Sequence, residues 1–123
     1  MMKQGADVIF GCGGRTGDGA LIAAAQEKAY TIGVDVDQFW ILHEASSQML
    51  SSATKLIAPG VFELIQFSHD KNFPSGNYSG HVGFAPFHDL DNEVPPDVKE
   101  QMETIRIGLT DGSIETNVPS SKP

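Results

Sequence analysis

Apolar positions near the start of the chain fall in short runs that glycine closes. Residues 6–11 (Ala-Asp-Val-Ile-Phe-Gly) form the first run, and Gly11, Gly13, Gly14, Gly17 and Gly19 follow it closely. A brief β-branched run bounded by glycine reads as a buried strand. From Asp18 the pattern becomes Gly-Ala-Leu-Ile-Ala-Ala-Ala-Gln-Glu-Lys. Alanine and leucine favour helix there, and Thr16 or Asp18 can cap its start. Leu21, Ala24, Ala25 and Lys28 share one helical face, and the lysine suits the electronegative end. Tyr30-Thr-Ile-Gly-Val-Asp35 then reads as a second buried strand. Strand, glycine loop, helix and strand within about thirty residues make a βαβ unit, with parallel strands and a right-handed crossover.

Beyond this unit the pattern loosens. Asp35-Val-Asp-Gln38 leaves the sheet, and residues 49–57 fit either a strand or the first turns of a helix. Pro59-Gly60 either opens a helix or breaks one. Val61, Leu64, Ile65 and Phe67 space as a helix over 61–71, and 72–77, with Pro74 and Gly76, reads as a turn. Residues 78–84, interrupted by Gly80 and Gly83, predict a short strand or an edge strand. Pro86 to Pro96 reads as a loop. Pro96 stands at the first position of a helix that runs to about Leu109. The tail after Ile114 is polar. The expectation is one α/β domain over 1–115 with a polar tail at 116–123, with no internal repeat and no linker.

Composition narrows the partners. The 123 residues carry 8 Lys+Arg against 16 Asp+Glu, a formal net charge of -8. An acidic surface repels phosphate backbones and anionic membranes, so neither nucleic acid nor a membrane surface is expected as a partner. No apolar run is long enough to span a bilayer. The opening Met-Met-Lys-Gln-Gly-Ala-Asp lacks the apolar core of a signal peptide, so the chain as written is expected in the cytoplasm. The lone cysteine, Cys12, can form neither an internal disulfide nor a cysteine-rich zinc site.

Three places carry candidate chemistry. The first is the glycine segment Gly11-Cys-Gly-Gly-Arg-Thr-Gly-Asp-Gly19, where a backbone without side chains lets a ligand approach amide groups beside a helix N-terminus. A phosphate-binding P-loop is excluded, because Ala20 and Leu21 stand where lysine and a hydroxyl belong. A dinucleotide fingerprint matches only partly, since Gly11-x-Gly13-x-x-x-Gly17 is one residue too long. The alternative is a turn that needs glycine for its geometry alone. The second place is Asp35, at the carboxyl end of a parallel strand, where open α/β sheets bind ligands. Its carboxylate can fork two hydrogen bonds, and Asp37 follows it. A solvated loop with Asx turns is the plainer reading. The third is Lys55, inside Ala53-Thr-Lys-Leu-Ile57, which needs an acidic partner or a polar ligand unless it snorkels to the surface.

The remaining polar residues assemble no catalytic set. His43, His69, His81 and His88 show no helical ligand spacing, and His88-Asp89-Leu-Asp91 reads as a polar loop, not a metal site. No nucleophile elbow is present. Cys12 is expected as a small buried side chain, and Trp40, His81, Phe84 and Phe87 as packing or rim residues. The chain is not expected to be an enzyme, to hold a metal or to need a cofactor.

Five stretches occur in order: Gly5-Ala-Asp-Val-Ile-Phe10, Gly13-Gly-x-Thr-Gly-x-Gly19, Ile32-Gly-Val-Asp-x-Asp-Gln38, Pro74-Ser-Gly and Gly83-Phe-Ala-Pro-Phe-His-Asp89. Together they resemble the basic membrane protein family, the substrate-binding proteins of ABC transporters that include the purine nucleoside receptors. The resemblance runs over residues 1 to about 115. It implies a periplasmic-binding-protein-like (type I) fold, of which this chain is the second lobe, truncated, with a partly parallel sheet flanked by helices. It implies a nucleoside-type ligand held without covalent chemistry between two lobes. Gly13, with Gly14 beside it, would give a backbone contact, and Asp35 and Lys55 would grip ribose hydroxyls. It also implies a transporter permease as partner and a cell-surface or periplasmic, membrane-anchored family. The first lobe and the lipid-anchor cysteine are not in the sequence, so a truncated form is expected. The helix at 61–71 would then leave Phe62, Ile65 and Phe67 uncovered, inviting a homodimer through residues 58–72. The alternatives are a Rossmann-like dinucleotide-binding enzyme fragment and a remnant without function.

Overall fold

A computed structural model describes residues 1–116 and 118. The chain forms two compact units, residues 1–91 and 92–123. The first holds a four-stranded sheet in the order β1-β2-β3-β4, built from β1 (Val8–Phe10), β2 (Tyr30–Asp35), β3 (Met49–Lys55) and β4 (Val82–Phe84). β1, β2 and β3 run parallel, and β4 pairs antiparallel with β3. The sheet is therefore mixed, as an α/β fold with a partly parallel sheet, and nothing in it is specific to a periplasmic-binding-protein lobe. α1 (Arg15–Gln26) connects β1 to β2. A 3-10 turn (Gln38–Trp40) and the short α2 (His43–Ser46) connect β2 to β3, and α3 (Ile57–His69) precedes β4.

The core is small. Ile9, Leu21, Ala24, Ala29, Ala45 and Met49 are buried together, and Met2, Ala6, Ile22, Ala25, Phe39 and Leu42 pack around them. Leu21 and Met49 are the large side chains closed off from solvent. α1 puts Gly17, Leu21 and Ala24 inward, one residue per turn, as its alanine-rich pattern predicts. The helix begins three residues before Asp18. Gly14 is its N-cap and supplies no side-chain cap, so neither Thr16 nor Asp18 caps it. Asp18 instead stands in the first turn, where a carboxylate suits the positive helix end.

Residues 49–55 resolve as strand. The register skips Leu50 between Thr31↔Met49 and Ile32↔Ser51, a β-bulge. Two buried serines lie in this strand. Ser51 Oγ donates to the Ala85 carbonyl at 2.7 Å, and Ser52 Oγ accepts from the Gln38 amide at 3.1 Å. α3 starts at Ile57, so Pro59 sits in its first turn, where its missing N–H breaks no helical bond. The predicted edge strand shrinks to three residues at the antiparallel edge.

In the second unit, α4 (Pro96–Asp111) opens on Pro96 and closes on Gly112 in the left-handed conformation. The Ile114 amide donates to the Gly108 carbonyl at 2.9 Å, sealing that end. Most of the predicted polar tail at 116–123 lies outside the described residues. No helix among the described residues is long and apolar enough to cross a membrane.

Candidate functional site at the carboxyl edge of the sheet

The parallel strands bring three predicted site segments to one edge. β1 ends at Phe10 opposite Ile32, so the glycine loop that follows emerges beside the last residues of β2. Asp35 is the last residue of β2 and pairs with Thr54, one residue before Lys55. Gly13 (φ 134) and Gly14 (φ 59, ψ -138) turn the chain into α1 through conformations that β-carbons disfavour. Cys12 lies in the same loop, between β1 and α1. It is exposed, not the buried apolar side chain that its position between strand and helix suggested.

Asp35 and Lys55 form an ion pair, with Nζ 2.5 Å from Oδ1. Both side chains are about half exposed or more, at 49% and 64%. Lys55 therefore neither snorkels alone nor sinks into apolar surroundings. Its acidic partner, Asp35, lies on the neighbouring strand, diagonally across, since Asp35 pairs with Thr54. The hydrogen bond from Lys55 to Asp35 is the main cause that raises the lysine above its ordinary range. Asp35 adopts a left-handed backbone, φ 71, which aspartate tolerates better than most residues. One carboxylate oxygen faces the ammonium, and the exposed pair offers acceptor and donor side by side.

The loop after β2 is held from within. Gln38 is buried, and its side chain works in two directions. Oε1 accepts from the Val34 amide at 2.9 Å, and Nε2 donates to Asp18 Oδ1 at 2.8 Å. Gly33 permits this, because a β-carbon there would lie 2.5 Å from Ser52 Oγ and 2.7 Å from Gln38 Oε1. Asp37 caps the 3-10 turn through the Phe39 amide and meets His88 Nε2 at 2.8 Å with its other oxygen. The His88 ring stacks on Phe39, centroids 4.0 Å apart and planes 13° from parallel, and meets Trp40 edge-on. Sequence spacing gave no sign of Gln38 or His88 in these roles, because all their partners here but the nearby Val34 amide are set by tertiary packing, the polar ones 14 to 51 residues away.

A second cluster lies at α3. Tyr78 donates to Glu63 Oε2 at 2.5 Å, and His81 Nε2 meets Glu63 Oε1 at 3.1 Å. The Tyr78 bond is the main cause that lowers Glu63, and the same bond raises the phenol. Beside this cluster runs an open groove of about 440 Å³, lined by Leu56, Ile57, Val61, Leu64 and Val82, with Lys55 on its wall. Phe62 and Ile65 of α3 are exposed, at 66% and 62%, and Phe67 is half-buried.

No family model matches the chain, and no curated protein matches it. A solved structure shares the fold. It is a crystal structure of a transcriptional activator of the comK gene from Bacillus halodurans, 19% identical in sequence, with a TM-score of 0.77. The match covers 94% of this chain and 41% of that one, so this chain spans about two fifths of the activator's length.

This finding corrects the family reading. The fold occurs in a protein described as a regulator, and no family model supports membership of the basic membrane protein family. Several glycines of the motifs that carried the resemblance have a local geometric reason: Gly5, Gly13, Gly14 and Gly76 hold positive φ. Gly33 makes room for Gln38 and Ser52, whichever function the fold serves. The transporter role, the nucleoside-type ligand and the permease partner lose their support. So do the homodimer through 58–72, which was argued from a missing transporter lobe, and the dinucleotide-binding alternative. The exclusion of nucleic acid loses its support as well, because the fold occurs in a protein described as a transcriptional activator.

Proposed function

We propose that this chain is a regulatory lobe of a transcription regulator. It receives a small polar effector at Asp35 and Lys55 and makes or breaks no bond in it. In this reading the lobe is one half of a two-lobed, periplasmic-binding-protein-like sensor, and the greater length of the matched activator leaves room for the opposing half. The observation that carries the reading is the exposed Asp35–Lys55 pair, set at the carboxyl edge of parallel strands beside the glycine loop. That edge is where open α/β sheets take up ligands. The pair suits a molecule that presents a hydrogen-bond donor next to an acceptor, with Gly13 and Gly14 admitting it close to the backbone. Binding by one lobe leaves the ligand's other face open, so weak affinity is expected from the lobe alone.

Two measurements test the reading. Thermal unfolding in the presence of a panel of small polar metabolites should identify a ligand that raises Tm. A ligand at a hundredfold its Kd adds about 2.7 kcal/mol, several degrees for a domain of this size. Asp35→Asn and Lys55→Met should abolish the rise. RNA sequencing of source cells carrying the wild-type or the Asp35→Asn allele should show a defined set of transcripts that differ. Identical transcript profiles for wild type and a deletion strain would remove the regulatory reading.

A further inference from the structure

We infer that His88 is a positioning residue for the Asp35–Lys55 pair, acting through Asp37; the inference concerns regulation of the site proposed above and rests on that reading for its biological meaning. The argument is one of closure. From Asp35 the chain runs two residues to Asp37, through a tight bend in which the Val36 amide donates to the Val34 carbonyl at 2.9 Å. Asp37 is bound to His88 at 2.8 Å. From His88 the chain runs back three residues to buried Ala85. Its amide donates to the Ser52 carbonyl at 2.9 Å, and its carbonyl accepts from Ser51 Oγ. β4 then pairs with β3 in a register that sets Val82 opposite Lys55. Lys55 closes the ring on Asp35.

The other links in this ring are covalent segments, the β3–β4 pairing, the Ala85 hydrogen bonds to Ser51 and Ser52, and the ion pair itself. The His88 side chain ties the loop after β4 to the loop after β2, by its polar contact with Asp37 and by its ring against Phe39 and Trp40. This link is built rather than incidental. The two side chains are 26% and 13% exposed, the imidazole lies flat on Phe39, and His88 holds a left-handed backbone, φ 47, that costs energy in a residue other than glycine. Opening this link frees the outer side of the 35–37 bend, while Gln38 still anchors its inner side. The β2 and β3 strands remain paired, but the carboxylate of Asp35 loses its fixed direction toward Lys55. An effector or partner that engages His88 would thereby change the polar pair at the site without touching it.

The test reads the pair directly and needs no effector. Acylation of Lys55 by an amine-reactive ester, followed residue by residue by mass spectrometry, reports how firmly Asp35 holds the ammonium. His88→Ala should raise the Lys55 labelling rate by more than about twofold, because a freed lysine populates its neutral form more readily. His88→Gln, whose amide can still donate to Asp37, should restore the wild-type rate. Trp40, the one tryptophan of the chain, stands edge-on to His88 and should change its emission in His88→Ala. A variant that changes Trp40 emission yet leaves Lys55 labelling at the wild-type rate overturns the inference, since His88 would then only pack. If circular dichroism shows His88→Ala unfolded, the same labelling on Asp37→Asn decides in the same two directions. An unchanged transcript profile with altered Lys55 labelling would count against the regulatory reading and leave the positioning role standing.

Discussion

Replacing Gly33 by alanine isolates the packing that holds the candidate site. Gly33 lies in β2, and its φ is not left-handed, so a β-carbon brings no backbone strain. In open space the change would stabilise by about 0.4–1 kcal/mol, through a less flexible unfolded chain. Here the new carbon would stand 2.5 Å from Ser52 Oγ, 2.7 Å from Gln38 Oε1 and 2.9 Å from Gln38 Cβ. Overpacking of this kind costs about 1–3 kcal/mol. If Gln38 withdraws to make room, the Val34 amide loses its acceptor, and an unpaired buried group costs about 1–3 kcal/mol more. The net expectation is a loss of about 2–4 kcal/mol. Urea unfolding followed by circular dichroism reads it as a midpoint lower by about 1–2 M, at the slopes usual for small domains. Gly19→Ala is the control. Its β-carbon meets nothing within 4 Å in α1, so it should stabilise by up to about 1 kcal/mol. A Gly33→Ala protein as stable as the wild type would show that Gln38 does not occupy the place described.

Four further outcomes are expected. Leu21→Ala should cost about 2–5 kcal/mol, since its side chain is fully buried. Gly11→Ala should then be better tolerated in the Leu21→Ala background than in the wild type, because the added carbon would lie 2.4 Å from Leu21 Cγ; a urea double-mutant cycle measures the coupling. The Glu63–Tyr78 bond should be pH-limited at both ends. Glu63 is lowered in the fold, so its contribution is present above the ordinary glutamate value and is lost as pH falls through the lower folded value. Tyr78 is raised, so its contribution is present below the ordinary phenol value of about 10 and is lost as pH rises through the higher folded one. Ultraviolet titration of a Tyr30→Phe protein should find Tyr78 above the ordinary range, and Glu63→Gln should bring it back. Asp35→Asn should return Lys55 to the ordinary lysine range, read by NMR titration of the side chain.

The strand-helix-strand opening was legible because each element there declares itself locally. Val8–Phe10 is β-branched or aromatic and is followed by glycine, α1 is rich in alanine, and β2 lies between turn residues; both strands were expected to be buried, yet only Ile9 of β1 and Thr31 and Gly33 of β2 are. Residues 49–55 resisted assignment because two of their inward positions are serines. Their burial depends on Gln38 and Ala85, which no local pattern reveals. The start of α3 was placed four residues late, since Pro59 reads as a break unless the helix is known to begin just before it. At the site, Asp35 and Lys55 could be picked from strand position and from a lone cation in an apolar run. Their pairing follows from strand register. The loop's inner and outer anchors, Gln38 and His88, were invisible for the opposite reason: their partners are set by tertiary packing. The family reading lost its support because no family model matches and the fold occurs in a protein described as a regulator; glycines such as Gly33 have a packing reason that carries no function.

The central claim is that the Asp35–Lys55 edge is where a small polar molecule binds. Amide NMR spectra of labelled protein, recorded with and without each member of a polar metabolite panel, test it most directly. The account predicts at least one compound whose shifts gather at Gly13, Gly14, Asp35 and Lys55 and vanish in Asp35→Asn. A panel that shifts nothing at that edge, or a compound whose shifts gather instead along Ile57, Val61 and Leu64 and survive Asp35→Asn, would contradict it.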